Sequence, residues 1–207
     1  MSSSANFSNI YKSYDFINKI LTLGYDTVWR KKAVDLIIGK KILDLGSGTG
    51  ALFNLMSEFE VTAVDPDENM LKLNKFKKKL VSKAEFLPFE DNSFDSVICT
   101  FVWRNLDDTN KALDEIRRVL KPDGKFILLD MTRPKNKFLT LIHFFGTFIV
   151  TLLIGIMTLN LKEYQFLHKS LDKYSQPENE LTNNPFKTFK IYRMGIFGFV
   201  YLAEFTG

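Results

Sequence analysis

The sequence predicts an α/β fold built on a doubly wound, mostly parallel sheet of seven strands, and three observations carry that reading. Residues 41–50, Lys-Ile-Leu-Asp-Leu-Gly-Ser-Gly-Thr-Gly, are an apolar run that breaks into alternating glycines and continues into the helix-like residues 51–59. A buried strand turns into a helix in this way in a nucleotide-binding βα unit. A second apolar run, 61–64, ends in Asp65, and two further runs of buried-strand character, 96–102 and 125–130, follow among stretches of helical spacing. The tail carries two apolar runs, 189–194 and 197–205, broken by Gly195 and Gly198, which read as a closing hairpin.

Taken in order, residues 7–38 hold two helix-like stretches separated by Gly24, with Phe16, Ile17, Ile20 and Leu21 in the first and Val28, Trp29, Ala33 and Leu36 in the second. They precede the first strand and are placed to cover the mouth of the glycine loop. After the strand that ends at Asp65, Asp67-Glu-Asn-Met70 reads as a helix start with acids in its first turn. The short run at residues 80–85 is a poor strand candidate. Arg104 and Asn105 fall just past the run 96–102, at the sheet edge where open α/β folds build their sites. Asp107 or Asp108 can cap a helix reaching Leu120 through Leu113, Ile116 and Val119, and Lys121-Pro-Asp-Gly124 ends it.

Residues 138–161 are the anomaly. They are twenty-four consecutive residues without a charge, flanked by Lys137 and Lys162. About twenty apolar residues are enough to cross a bilayer. This run, however, contains His143, Asn160, two glycines and four threonines, and it interrupts a sheet whose last hairpin has to rejoin the same side. The expectation is therefore an apolar lid over 134–170, a helix pair that faces or dips into a membrane without spanning it. The whole chain, 1–207, is expected to form one domain.

Glycines 46, 48 and 50 let the backbone pass beneath a ligand and present its N–H groups, with Ser47 and Thr49 between them. Asp65, at the tip of the second strand, is placed to take the hydroxyls of a ribose. A dinucleotide also suits this pattern. Asp44 decides between the candidates, because a carboxylate two residues before the first glycine would repel a pyrophosphate and attract the sulfonium and ammonium of S-adenosylmethionine.

Composition narrows the remaining classes. With 45% hydrophobic residues, 20 Phe, 28 basic and 24 acidic side chains, the chain is globular, and a net charge of +4 is too small to imply nucleic acid as a partner. Six lysines between Lys72 and Lys83 read as a solvated face in preference to a contact with anionic lipid. Cys99 sits in an apolar run as a core thiol, and His143 and His168 are too isolated to suggest a metal site. The start of the chain lacks the basic and apolar regions of a secretion signal, so a cytoplasmic protein is expected. A homo-oligomer is left open.

Several stretches together resemble the ubiquinone/menaquinone biosynthesis C-methyltransferase family, of class I Rossmann-like fold. Tyr14-Asp15, Asn18, Leu21, Gly24 and Trp29-Arg30 are similar to its N-terminal signature, Phe101-Val-Trp-Arg104-Asn105 to its arginine-asparagine segment, and Arg118-Val-Leu-Lys-Pro122 with Gly124 to its second signature. The resemblance implies S-adenosylmethionine as cofactor, contacted by Thr49, Asp65, Lys83 with Ala84, and Thr100; Asp44, the glycine loop and Met70 complete the expected set. Lys83 stands where the family has an acid or amide, which leaves adenine to the backbone of Ala84. The implied reaction is methylation of a ring carbon of a prenylated quinol such as demethylmenaquinol; peripheral association with the membrane is expected from the glycine- and threonine-broken character of residues 138–161.

Such chemistry needs an electron-rich ring held in line with the methyl group. Arg104 is expected to stabilise phenolate charge, and Asn105 and Tyr14 to hold the quinol. The apolar stretch would accommodate a prenyl tail. A methyltransferase for another lipid or small molecule, and a noncatalytic cofactor-binding scaffold, are the alternatives.

Overall fold

The computed structural model describes residues 22, 24–157, 161–173 and 176–207. Seven strands form one sheet: β1 (Lys41–Leu45), β2 (Glu60–Asp65), β3 (Lys78–Val81), β4 (Phe94–Thr100), β5 (Leu120–Met131), β6 (Thr188–Met194) and β7 (Val200–Thr206), in the spatial order β3-β2-β1-β4-β5-β7-β6. Strands β1 to β5 run parallel, and β7 pairs antiparallel with β5 and β6 to close the sheet. From β1 the chain steps outward to β2 and β3 and then returns to lay β4 on the other side of β1. That reversal opens a crevice at the carboxyl ends of β1 and β4, where α/β sheets bind their ligands.

The two-residue period of a strand divides the core into two layers. Leu43 and Leu45 share one cluster with Val97, Cys99 and Ile116, whereas Ile42 packs on the opposite face with Ile98, Ile127, Trp29 and Ala33. Trp29 and Ala33 belong to α1 (Asp26–Val34), the described part of the N-terminal cover. Asp44 alternates with Leu43 and Leu45 and so falls on the α1 face. Tyr14, with the rest of the N-terminal signature before Thr22, lies outside the described residues.

Capping chemistry sets two helix starts. Asp67 accepts the backbone N–H groups of Asn69 and Met70 to open α2 (Glu68–Leu73), and Asp108 accepts that of Lys111 to open α3 (Thr109–Val119). The helix expected over 51–59 is only a 3₁₀ turn at Phe53–Leu55. The glycine loop takes the first five of the fourteen residues between β1 and β2, and a 3₁₀ turn, rising about 2.0 Å per residue, returns the chain along the sheet with few residues. Leu52 and Met56, each 1% exposed, anchor that turn in the core.

The charge-free stretch forms α4 (Lys137–Met157), which folds back through α5 (Leu161–Lys173); a short α6 (Pro177–Glu180) leads to the hairpin. Thr147 faces His168 and Gly155 faces Leu161, so the two long helices are antiparallel. Helix α5 rests on the 3₁₀ turn Trp103–Asn105 that follows β4.

Candidate active site

Backbone conformation builds the glycine loop. Gly46, Gly48 and Gly50 have φ of 69°, 52° and 86°, the left-handed region that glycine reaches without a Cβ penalty. Their surroundings differ. A Cβ on Gly46 would come within 2.6 Å of Val102 and one on Gly50 within 2.7 Å of Asn74, whereas one on Gly48 would meet only an Asp65 oxygen, at 4.0 Å. The space over Gly48 is open, as a ligand cradle requires.

A cavity of about 500 Å³ occupies the crevice. Of the expected cofactor residues, Asp44, Gly46, Ser47, Gly48, Thr49, Asp65, Met70, Lys83, Ala84 and Thr100 line it. Gly50 does not, since it faces Asn74. The carboxylate of Asp65 accepts the N–H groups of Gly48 (2.9 Å) and Asp67 (2.8 Å), which holds the acid in the plane of the loop. Burial raises its pKa against those two hydrogen bonds.

Asp44 is strongly tuned by its surroundings. Asn74 Nδ2 donates to Ser47 Oγ (2.7 Å), which donates in turn to Asp44 Oδ2 (2.7 Å). At 2% exposure the carboxyl pays for desolvation, and burial pushes its pKa up to about 6 despite the Ser47 hydrogen bond and the nearby Arg30. An anion held in a dry pocket is poised for a cation.

Asn105 lines the cavity, and its buried Oδ1 has no hydrogen-bond partner among the described residues. Buried polar atoms are rarely left so. Lys83 reaches across the rim to Asp107 (Nζ to Oδ2, 2.9 Å), and that ion pair raises its pKa. The hydrogen bond and charge of Asp107 occupy its ammonium.

Arg104 departs from expectation. Its guanidinium does not line the cavity; at 4% exposure it is buried in an ion pair from Nη1 to Asp130 Oδ1, and its Nε donates to Ser170 Oγ of α5 (3.2 Å). Asp130 also accepts the backbone N–H of Arg104 (2.9 Å). The side chain turns away because β5 carries a fully buried carboxylate beside the turn, and an isolated charge there would be costly. Arg104 thus ties the turn that presents Asn105 to the sheet and to the apolar helix pair.

Several site residues had no role in the sequence reading. Arg30 of α1 lines the cavity, donates from Nη1 to Thr100 Oγ1 and lies 4.8 Å from the ring centre of Phe101. Its signal was the Trp29-Arg30 pair of the N-terminal signature. Asn74, which props Ser47, gave none within its lysine-rich stretch. Glu85 also lines the cavity and accepts the N–H groups of Asp107 and Asp108 (3.1 Å each). Phe101 holds φ at 62°, a strained value for an aromatic residue, and is anchored by its N–H to Leu129 O (2.7 Å). Among the described residues no group of His, Cys, Asp and Glu could hold a metal ion.

Comparison with known proteins agrees with this geometry. The model of the ubiE/COQ5 methyltransferase family matches residues 3–184. A demethylmenaquinone methyltransferase of Thermotoga maritima is 34% identical over 185 residues, 83% of this chain and 81% of that protein. A ubiquinone/menaquinone biosynthesis C-methyltransferase UbiE of Rickettsia bellii is 37% identical over 194 residues, 83% of this chain and 78% of that protein. Among solved structures, an S-adenosylmethionine-dependent methyltransferase from Archaeoglobus fulgidus superposes with a TM-score of 0.68 at 16% identity, covering 94% of this chain and all of that one. Another, from Thermotoga maritima, gives 0.65 at 19% identity over 97% of this chain and 99% of that one. At such identity the likeness speaks for the fold.

Proposed function

The chain belongs to the ubiE/COQ5 methyltransferase family, an S-adenosylmethionine-dependent enzyme family, and from that premise we propose that it methylates a ring carbon of a prenylated quinol such as demethylmenaquinol, working from the cytoplasmic side on a membrane-borne substrate. The observation that carries the reading is Asn105 in the lining of the cavity that Asp44 and Asp65 border, in a chain whose helix α4 leaves Phe145, Ile149 and Leu153 exposed.

When bound, the cofactor supplies an electrophilic methyl group carried on a sulfonium. The open backbone at Gly48 and Thr49, with Asp65, would hold its nucleoside part, and the backbone of Ala84 its adenine. Asp44 sets a negative charge against its positive end. Asn105 accepts a hydrogen bond from the quinol hydroxyl, which fixes the ring face toward the crevice. Asp130 and Arg104 keep the turn that carries Asn105 rigid, and Arg104 serves as a positioning residue. Thr100, held by Arg30, closes the floor at the end of β4.

Methyl transfer from S-adenosylmethionine to a short-tailed demethylmenaquinol analogue, followed by mass spectrometry, tests the proposal. A methylated ring carbon is expected, with turnover reduced about 10- to 100-fold in Asn105→Ala and cofactor binding retained, the scale for removing one orienting hydrogen bond. A protein that binds S-adenosylhomocysteine yet leaves quinols unmethylated while methylating another lipid acceptor would refute the substrate. Inability to bind S-adenosylhomocysteine would refute the enzyme reading altogether.

A further inference from the structure

Helix α4 is built inside out. Thr140, His143, Thr147 and Thr151, spaced by three or four residues, turn toward the protein and are half-buried or buried. Leu141, Phe145, Phe148, Ile149, Leu153 and Ile156 face outward and are 43% to 55% exposed. A helix on the surface of a water-soluble domain has the opposite arrangement. The inward polar groups are also satisfied: Thr147 Oγ1 accepts from Arg133 Nη1 (2.9 Å) and meets His168 Nδ1 (3.0 Å), and Thr151 Oγ1 donates to the Thr147 carbonyl (2.7 Å). Arg133 is itself held by both carboxylate oxygens of Asp172. Inside α4 the protein supplies partners for Thr147 and Thr151, and outside it offers only hydrocarbon.

We infer that the outward face of α4 is a docking surface for an anionic lipid bilayer, in which the helix lies along the plane of one leaflet with these six side chains among the acyl chains. Three features favour lipid over a protein partner. Between Leu141 and Ile156 the outward side chains of α4 are all apolar, whereas a protein interface carries direct hydrogen bonds, about ten in a typical one. Its apolar side chains continue along a helix of 21 residues, about 31 Å at 1.5 Å per residue, a contiguous exposed run of the kind that marks an interaction surface. The exposed charges at its margins include Lys137 at its start and, on α5, Lys169 and Asp172; the acid is paired with Arg133, and the lysines suit lipid phosphates.

The antiparallel partner excludes a crossing. The exposed Lys169 and Asp172 lie on α5 alongside α4, so a transverse α4 would draw them toward the hydrocarbon. Both ends of the helix pair also return to the same sheet. An in-plane helix, sunk about 5–10 Å at the headgroup boundary, leaves those charges in water. The inference stands apart from the identity of the methyl acceptor, since it rests on the surface of α4 alone.

Flotation of the purified full chain with phosphatidylcholine vesicles, with and without phosphatidylglycerol, tests it. The protein should float with both and more strongly with phosphatidylglycerol, and alkaline carbonate should release it. Phe145→Asp and Leu153→Asp should each lower the partition coefficient at least about tenfold while binding of S-adenosylhomocysteine is kept, which also shows that the variants fold. In Phe148→Trp, a milder change, brominated acyl chains should quench the new indole. Failure of the unmutated protein to float, or absence of quenching, overturns the inference. So does resistance to carbonate, which would mean a spanning helix, or a dimer in solution dissolved by the same two aspartates, which would mean that a second copy covers the face.

Discussion

Replacing Asp44 by Asn separates the cost of a buried charge from its use. The carboxyl has a pKa of about 6 in the fold against 3.8 when exposed. At about 1.36 kcal/mol per unit, burial disfavours the ionised form by roughly 3 kcal/mol. Between pH 4 and 6 the folded protein holds a proton that the unfolded chain has released, so stability declines as pH rises through that window, and the full penalty applies above it. The neutral isostere escapes the penalty and can still accept the Ser47 hydroxyl. Without ligand at neutral pH, Asp44→Asn should therefore be more stable by up to roughly 3 kcal/mol, on the order of 6–12 °C in melting temperature for a chain of this size, and the advantage should vanish near pH 4. Binding should move the other way. Loss of the charge should weaken S-adenosylmethionine about 10- to 100-fold at neutral pH, the scale of a hydrogen bond or contact to a charged group. In the unmutated protein the affinity should fall as pH drops below about 6, with proton release on binding near that pH. Thermal melts across pH and calorimetry in buffers of different ionisation enthalpy measure both halves. If Asp44→Asn melts lower at neutral pH and binds the cofactor as tightly as the unmutated protein, the carboxylate is structural and the reasoning fails.

Arg104→Ala should cost about 3–5 kcal/mol of stability in denaturant titration, because it strands the fully buried Asp130, whereas Arg104→Met with Asp130→Leu should recover most of that loss. Gly48→Ala should weaken S-adenosylhomocysteine by at least about tenfold in calorimetry, by strain at positive φ and by filling the cradle, while Gly50→Ala should act mainly on thermal stability through its clash with Asn74. Asp65→Ala should cost about 1.5–3 kcal/mol of cofactor binding, as expected for hydrogen bonds to a charged acceptor. Asn74→Ala, two bonds removed from the ligand, should lower the melting temperature and shift the pH dependence of cofactor binding, since it frees Ser47 to turn from Asp44.

Strand runs, glycine spacing and capping acids are local properties, and they were legible in residue order. Apolar continuity marked β1, β2, β4 and β5, Asp67 and Asp108 capped the helices expected to follow them, and alternation of strand and helix patterns implied a parallel sheet. Where several conformations suit the same local pattern, the length of the connection decided, as at residues 51–59, which read as a helix and fold as a 3₁₀ turn. Residues of the cofactor crevice could be named because glycines and acids at strand ends have few other uses at that spacing.

The direction of a side chain is another matter. Arg104 at a strand end has the same sequence whether it faces the ligand or the core, and only the placement of Asp130 on the neighbouring strand, brought alongside by the β4–β5 pairing, turned it inward. Asn74 and Arg30 entered the site from segments distant in sequence, by packing against the loop and the end of β4. The composition of residues 138–161 established that they were apolar, but not which side of the helix met water. That required the partner α5, since Arg133 and His168 draw the threonines inward and leave the hydrocarbon outside. Sequence by itself determined the order of elements and the chemistry available at the sheet's edge, because backbone propensity and burial period act over a few residues. Tertiary structure decided which charges are neutralised, which are presented and which face is bare, because those depend on partners that only folding brings within hydrogen-bonding distance.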